Sequence, residues 1–218
     1  MKLPTRTHYI ILYLVFVIAI GFLILTVFVV IDPVSVIDRE FSQEIQEHKN
    51  HFLDVTMKLV SWFGYMPVSP VLILTTAFIF YISKYKREAL FVVFTVVSGL
   101  VSSIMKLMVG RPRPLPSIVR VIEKTREQSF PSGHVIFYVV FFGFLTLLMY
   151  RLIAIPKYIR ISLSAISMLF IFTVPVSRIY LGAHWFTDVL GGLLSGLLCL
   201  YVLGYFYLKN SMYHPIKS

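Results

Sequence analysis

Long apolar runs separated by short polar breaks give this chain its pattern, and the runs have membrane length. Tyr9–Ile31 is continuously apolar. At 1.5 Å per residue it can cross a hydrocarbon core of about 30 Å. Lys2 and Arg6 precede it, as basic residues precede a signal peptide. The run is nevertheless longer than the roughly 7–15 residues of a signal core, and it lacks a clear small-residue cleavage site, which predicts an uncleaved first span. Residues 67–83 form a second span, short unless 59–66 extend it; 89–109, 134–150, 161–176 and 185–208 give the third to sixth.

Between the first two spans, residues 32–54 are the most polar segment. Phe41, Ile45, Phe52, Val55, Leu59 and Trp62 recur there and just beyond at roughly helical spacing. That pattern predicts a short amphipathic helix lying along the membrane surface. Residues 110–131 are a long polar connection opening on Pro112, Pro114 and Pro116, unsuited to a span. The predicted fold is all-α: a polytopic membrane protein with six transmembrane helices in one bundle plus that interfacial helix, residues 1–218 making a single membrane domain.

Composition supports the same class. Of 218 residues, 58% are hydrophobic and 14% charged, with a mean hydropathy of +0.84. Soluble domains run closer to half apolar and a quarter charged. The net charge of +10 might be taken for a nucleic-acid partner, but the basic residues punctuate apolar runs, so membrane topology explains them better. Cys199 is the only cysteine, which excludes an intrachain disulfide. His48 and His51 stand at i, i+3 without a companion ligand at metal spacing, and read as a solvated helix face.

Six spans put both termini on one face with the second and fourth connections. Basic residues divide evenly between the two faces, but on this face Glu88 is the only acid among them and the loops are tight. The opposite face mixes both signs over longer loops. This asymmetry predicts cytoplasmic termini. Lys106, Arg113, Ser132, His134, Arg178, His184 and Asp188 then share the extracytoplasmic boundary, where the ends of short-linked spans can converge.

Singly, each of these residues has an ordinary explanation. Lys106 could snorkel, 111–114 could be a solvated turn, Ser132 could cap a helix, and His184 and Arg178 could anchor at the interface. Asp188 resists such a reading, because a carboxylate one turn inside an apolar run needs a partner. If the chain is helical from His184, Asp188 stands at i+4 and can orient its imidazole. Together the residues suit one reaction. Lys106, Arg113 and Arg178 can neutralise a phosphate dianion. Gly133 lets backbone N–H groups approach it. His184 can attack phosphorus, and His134 can protonate the leaving oxygen and then activate water. No carboxylate cluster offers a divalent site, so neither metal nor cofactor is expected.

Three motifs carry a resemblance: Lys106, six residues, Arg113-Pro114; Pro131-Ser132-Gly133-His134; and Ser177-Arg178, five residues, His184, three residues, Asp188. In this order the chain resembles the type-2 phosphatidic acid phosphatase superfamily over about 67–208. The resemblance implies a six-helix core, His184 as nucleophile, Asp188 orienting it and His134 as acid/base. It implies phosphate binding by Lys106, Arg113, Ser132, Gly133 and Arg178, and no metal. It also implies lipid substrates: phosphatidic acid, phosphatidylglycerophosphate or polyprenyl diphosphates such as the undecaprenyl carrier, in a bacterial cell membrane. No nucleic acid and no obligate protein partner are expected. A phosphotransferase using a lipid acceptor is the alternative. A transporter fits less well, since the charges gather at one boundary and no span is broken at midplane.

Overall fold

The computed structural model describes residues 5–123, 125 and 127–211; the expected cytoplasmic Lys2 and Lys217 lie outside them. The described residues are helical, without strands: α1 (Thr5–Ile31), α2 (Val36–Ile45), α3 (His51–Ser61), a 3-10 turn (Trp62–Gly64), α4 (Val68–Ile82), α5 (Lys86–Phe94), α6 (Val97–Val109), α7 (Gly133–Arg151), α8 (Lys157–Tyr180) and α9 (Phe186–Ser211). In lipid a helix satisfies its own backbone polar groups, so apolar runs of this length have little alternative.

Among the described residues, five helical stretches are long and apolar enough to cross a membrane: Tyr9–Ile31, Lys86–Val109, Gly133–Arg151, Lys157–Tyr180 and Phe186–Lys209. The expected second span is α4 with only 15 residues, about 22 Å of helix. It reaches span length only together with α3, across a 59° bend. Among the described residues the count is therefore five spans, or six with the bent pair.

One helix organises the bundle. In α7, 67% of the membrane window is buried inside the protein, against 6% in α1. Apart from the Tyr138 hydroxyl, which donates to Val60 O at 2.5 Å, its side chains through Val135–Phe144 are apolar; Tyr138 and Phe142 pack with Phe170 of α8, and Phe142 also with Phe63 of the 3-10 turn. Helices gain little hydrophobic drive from one another in lipid, so close packing decides the contacts. Against α9 the contact is set by small residues: a Cβ at Gly192 would lie 2.9 Å from the Ser132 carbonyl, and one at Gly196 2.9 Å from Val139. This places the start of α9 against the start of α7.

The segment before α4 departs from expectation. Instead of one amphipathic helix there are two, separated at Asn50, whose side chain caps α3 by accepting from Leu53 N at 2.8 Å. The face that α2 packs on the protein is polar. Its buried side chains are the polar Asp38 and Ser42, with Gln46 just beyond its end, while Val36 and Ile37 are exposed. Gln46 ties that end to the bundle, donating to Arg120 O at 2.8 Å and Tyr180 O at 2.9 Å and accepting from Arg120 N at 2.9 Å.

Candidate active site

The link between α8 and α9 doubles back on itself. Gly182 adopts φ +64°, a conformation that glycine takes without a Cβ penalty. The N–H groups of Ala183 and His184 then both reach Arg178 O, at 3.2 and 3.3 Å. His184 is thus folded back over the residue that ends α8. It is not part of α9, which begins at Phe186, so no helical register aligns it with Asp188. Asp188 instead reaches back to accept from Trp185 N with Oδ2 at 2.8 Å, and the same oxygen lies 3.5 Å from His184 Nδ1. The other imidazole nitrogen, Nε2, is 3.4 Å from Arg113 Nη1.

The first two motifs meet this turn. Ser132 N donates to Asp188 O at 3.0 Å, joining the start of α7 to α9. Arg113 donates to Ala183 O at 2.6 Å and Glu127 O at 2.7 Å. Lys106 is not snorkelling at a rim; its side chain is largely buried and pairs with Glu127 at 2.6 Å. Its Nζ would lie 3.9 Å from a Cβ at Gly133. The His134 ring sits edge-on to Tyr65, centroids 4.9 Å apart, with Gly64 beneath it. Arg178 is buried and makes a bidentate pair with Glu123, both arms 2.8 Å, while Tyr65 donates to the same carboxylate at 2.5 Å.

All eight expected residues are therefore neighbours at one end of the bundle. Several carry buried polar atoms without a hydrogen-bond partner: Ser132 Oγ, His134 Nε2, Arg178 Nε and His184 Nδ1. Ser42 Oγ is the one other such atom among the described residues. Buried polar atoms are nearly always paired; His184 Nδ1 has the Asp188 carboxylate 3.5 Å away, which leaves the Ser132, His134 and Arg178 atoms gathered here without a partner. Burial pushes the His184 imidazole well below its ordinary pKa, and Arg113, Arg178 and Lys106 push it further. Both effects favour the neutral imidazole. Among the described residues no three His, Cys, Asp or Glu side chains form a metal-binding group.

The sequence model of the PAP2 superfamily matches residues 87–212, more than half of the chain and every motif residue named above. This chain belongs to the PAP2 superfamily. Its fold is similar to that of the transmembrane PAP2-type phosphatidylglycerolphosphate phosphatase of Bacillus subtilis, with a TM-score of 0.76 and 25% identity over 89% of this chain and 96% of that one. LpxE of Aquifex aeolicus shares the fold at a TM-score of 0.57 and 23% identity, covering 82% of this chain and 98% of that one. In sequence it is 25% identical over 147 residues to the bacitracin transport permease protein BcrC of Bacillus licheniformis, 64% of this chain and 67% of that protein. It is a multi-pass membrane protein of the lipid-phosphatase family.

This PAP2 protein uses residues that the pattern of its sequence left out. Arg111, taken for part of a solvated turn, is wholly buried and donates to Asp188 Oδ1 at 2.5 Å. Ser129 donates to the other carboxylate oxygen. Glu123 and Glu127 hold two of the cations. The signal for Arg111 lay in Asp188, since a membrane carboxylate demands a cation and His184 alone is neutral. Glu123, Glu127 and Tyr65 gave no signal, because their partners are distant in sequence.

Proposed function

We propose that this protein is a lipid phosphate or diphosphate phosphatase that works through a phosphohistidine at the extracytoplasmic face of a bacterial cell membrane. One observation carries the reading: His184 presents Nδ1 to Asp188 and Nε2 to Arg113, within a cluster of cations at the membrane end of the bundle. A neutral imidazole held from behind by a carboxylate, with its other nitrogen facing bound phosphate, is arranged for in-line attack.

Lys106, Arg113 and Arg178 take the phosphoryl oxygens, with Ser132 Oγ and backbone N–H groups near Gly133. These donors neutralise charge that grows in the transition state. His184 Nε2 attacks phosphorus as the bond to the leaving oxygen breaks, and Asp188 steadies the positive imidazole. His134 gives its proton to the leaving lipid alcohol or lipid phosphate. It then takes one from water, whose oxygen attacks phosphorus and breaks the P–N bond, releasing inorganic phosphate. No step requires a metal, because fixed cations do the neutralising.

The similarity to a phosphatidylglycerolphosphate phosphatase and the membrane position support a lipid headgroup as substrate. The test is phosphate release by detergent-solubilised protein from phosphatidic acid, phosphatidylglycerophosphate and undecaprenyl diphosphate. At least one should be hydrolysed with a chelator present and inhibited by vanadate, and His184→Ala should lose at least about 1000-fold in kcat. Full activity in that variant would sink the nucleophile assignment.

A further inference from the structure

The polar face of α2 takes no part in the steps above, yet it is buried to completion at the site. Asp38 has no solvent exposure. Its Oδ1 accepts from Thr187 N and Thr187 Oγ1, both at 2.9 Å, at the start of α9. Its Oδ2 accepts from Ser35 Oγ at 2.8 Å and Arg111 Nη2 at 2.5 Å. Arg111 donates through Nη1 to Thr187 Oγ1 at 2.7 Å and Asp188 Oδ1 at 2.5 Å, and through Nε to the Pro33 carbonyl at 2.9 Å. One guanidinium thus lies between two carboxylates, all three side chains at 0% exposure.

Such a row is poorly explained by stability. Desolvating buried charges costs about as much as their attraction returns, and apolar residues of the same volume often serve as well or better. What the row does have is a direction. It ends on Asp188, whose second oxygen faces His184 Nδ1. Arg111 on Oδ1, with Trp185 N and Ser129 Oγ on Oδ2, sets how the carboxylate is turned. A lone guanidinium there would also weaken the hold of Asp188 on the imidazole, and the charge of Asp38 offsets it.

We propose that Asp38 and Arg111 are positioning residues of the phosphoryl-transfer site: Arg111 orients Asp188, and Asp38 balances Arg111 so that Asp188 retains its grip on His184. This rests on the reading of His184 as nucleophile. Asp38 lies outside the segment that the family model matches, residues 87–212. The helix that precedes it in the chain therefore completes the site.

The arrangement has signs that a merely mechanical tie lacks. His184 is faced by Asp188 of α9, Arg178 of α8, Lys106 of α6, His134 of α7 and Arg113 of the connecting loop, with Glu123 and Glu127 of that loop paired to two of the cations. Of these groups only Asp188 touches the row, through Arg111 on its Oδ1. Removing the Asp38 charge should lower the pH at which His184 titrates, and neutralising Arg111 should raise it.

The full-length protein in detergent micelles, labelled with 15N-histidine, reads this directly, with the His184 signal identified by its loss in His184→Ala. Asp38→Asn should move the His184 midpoint down and Arg111→Gln up, each by about half a pH unit or more. In phosphate release each should lower kcat about tenfold or more while KM stays within about threefold. Phe41→Ala is the control: Phe41 stacks on Phe186 with centroids 4.2 Å apart, docking α2 on α9 without charge. It should lower the melting temperature and leave the midpoint in place. If Arg111→Gln fails to fold, the double variant Asp38→Asn/Arg111→Gln replaces it, and its midpoint should lie above that of Asp38→Asn alone. Unmoved midpoints, or shifts of one sign shared with Phe41→Ala, would overturn the proposal. If the unaltered protein released phosphate from no lipid, the phosphatase reading would fall, while the midpoints would still decide the role of this row.

Discussion

Arg178 and Glu123 face each other in a two-armed ion pair, 2.8 Å on each arm, at the place proposed above to bind phosphate. A phosphoryl group entering the site must share Arg178 with that carboxylate or replace it. Glu123→Gln keeps the shape and removes the competing charge. It should tighten vanadate inhibition by roughly tenfold, the equivalent of about 1.4 kcal/mol and within the range for a hydrogen bond to a charged group. The melting temperature should fall at the same time, because Arg178 loses its counter-charge. An unchanged inhibition constant would show that Glu123 and phosphate do not compete.

Acid should both loosen the site and disable it. His184 titrates well below its ordinary 6.5, so below that value the unfolded chain binds a proton that the folded site refuses. Its contribution to stability is full above pH 6.5 and declines as pH falls. Burial pushes the Glu123 carboxyl upward, but Arg178 and Tyr65 outweigh it and hold it below 4.5; Lys106 does the same for the more exposed Glu127. These add stability above pH 4.5 that is lost as pH falls through their lowered values. All three act with one sign, so thermal stability should drop steadily from pH 6.5 to 4, by up to about 1.4 kcal/mol per pH unit for each proton taken up at His184 and Glu123, with the solvent-screened Glu127 adding less. The acid limb of the rate profile should lie below 6.5. A limb at or above 6.5 would contradict the position assigned to His184.

Gly182 should not tolerate a side chain. Its φ is +64°, and a Cβ would stand 2.2 Å from the Arg120 carbonyl. The conformation alone costs about 1–2 kcal/mol for an L-residue, and the clash with backbone adds to it. Since the turn at Gly182 sets His184 over Arg178, Gly182→Ala should lower the melting temperature and cost at least about 100-fold in kcat. Near-normal kcat would mean that the turn does not position the histidine.

A methyl group at Gly64 separates the two histidines. Its Cβ would lie 2.3 Å from the His134 ring and must push it aside. Gly64→Ala should therefore reduce turnover of lipid phosphates with little change in vanadate affinity, which depends on the cations across the site. Equal loss of both would indicate a general collapse there. Measuring kcat and vanadate inhibition in parallel separates the outcomes.

Hydrophobic runs announced most of the bundle because a lipid-crossing helix is specified locally: enough apolar residues in succession, with the backbone satisfied within the helix. The bent α3–α4 pair was less legible. An apolar run shows its length but not whether a neighbour will bend it, and α3 is held to α8 by Ser61 and Ser177 hydroxyls 2.6 Å apart. Which face of α2 packs on the protein was not legible for a related reason. Apolar spacing located a helix, yet its buried side is the polar one, since what it meets is the charged start of α9 rather than an apolar core.

By itself the sequence determined an all-helical membrane protein and the eight residues that gather at one end of it, because residue type and spacing carry charge and chemistry wherever the chain goes. Tertiary structure decided what those residues meet. Asp188 had to have a cation, but that it is Arg111, held by Asp38 149 residues before Thr187, depends on packing α2 against the start of α9. No local pattern encodes such a partner, because a buried charge selects whatever complementary group the fold brings within reach.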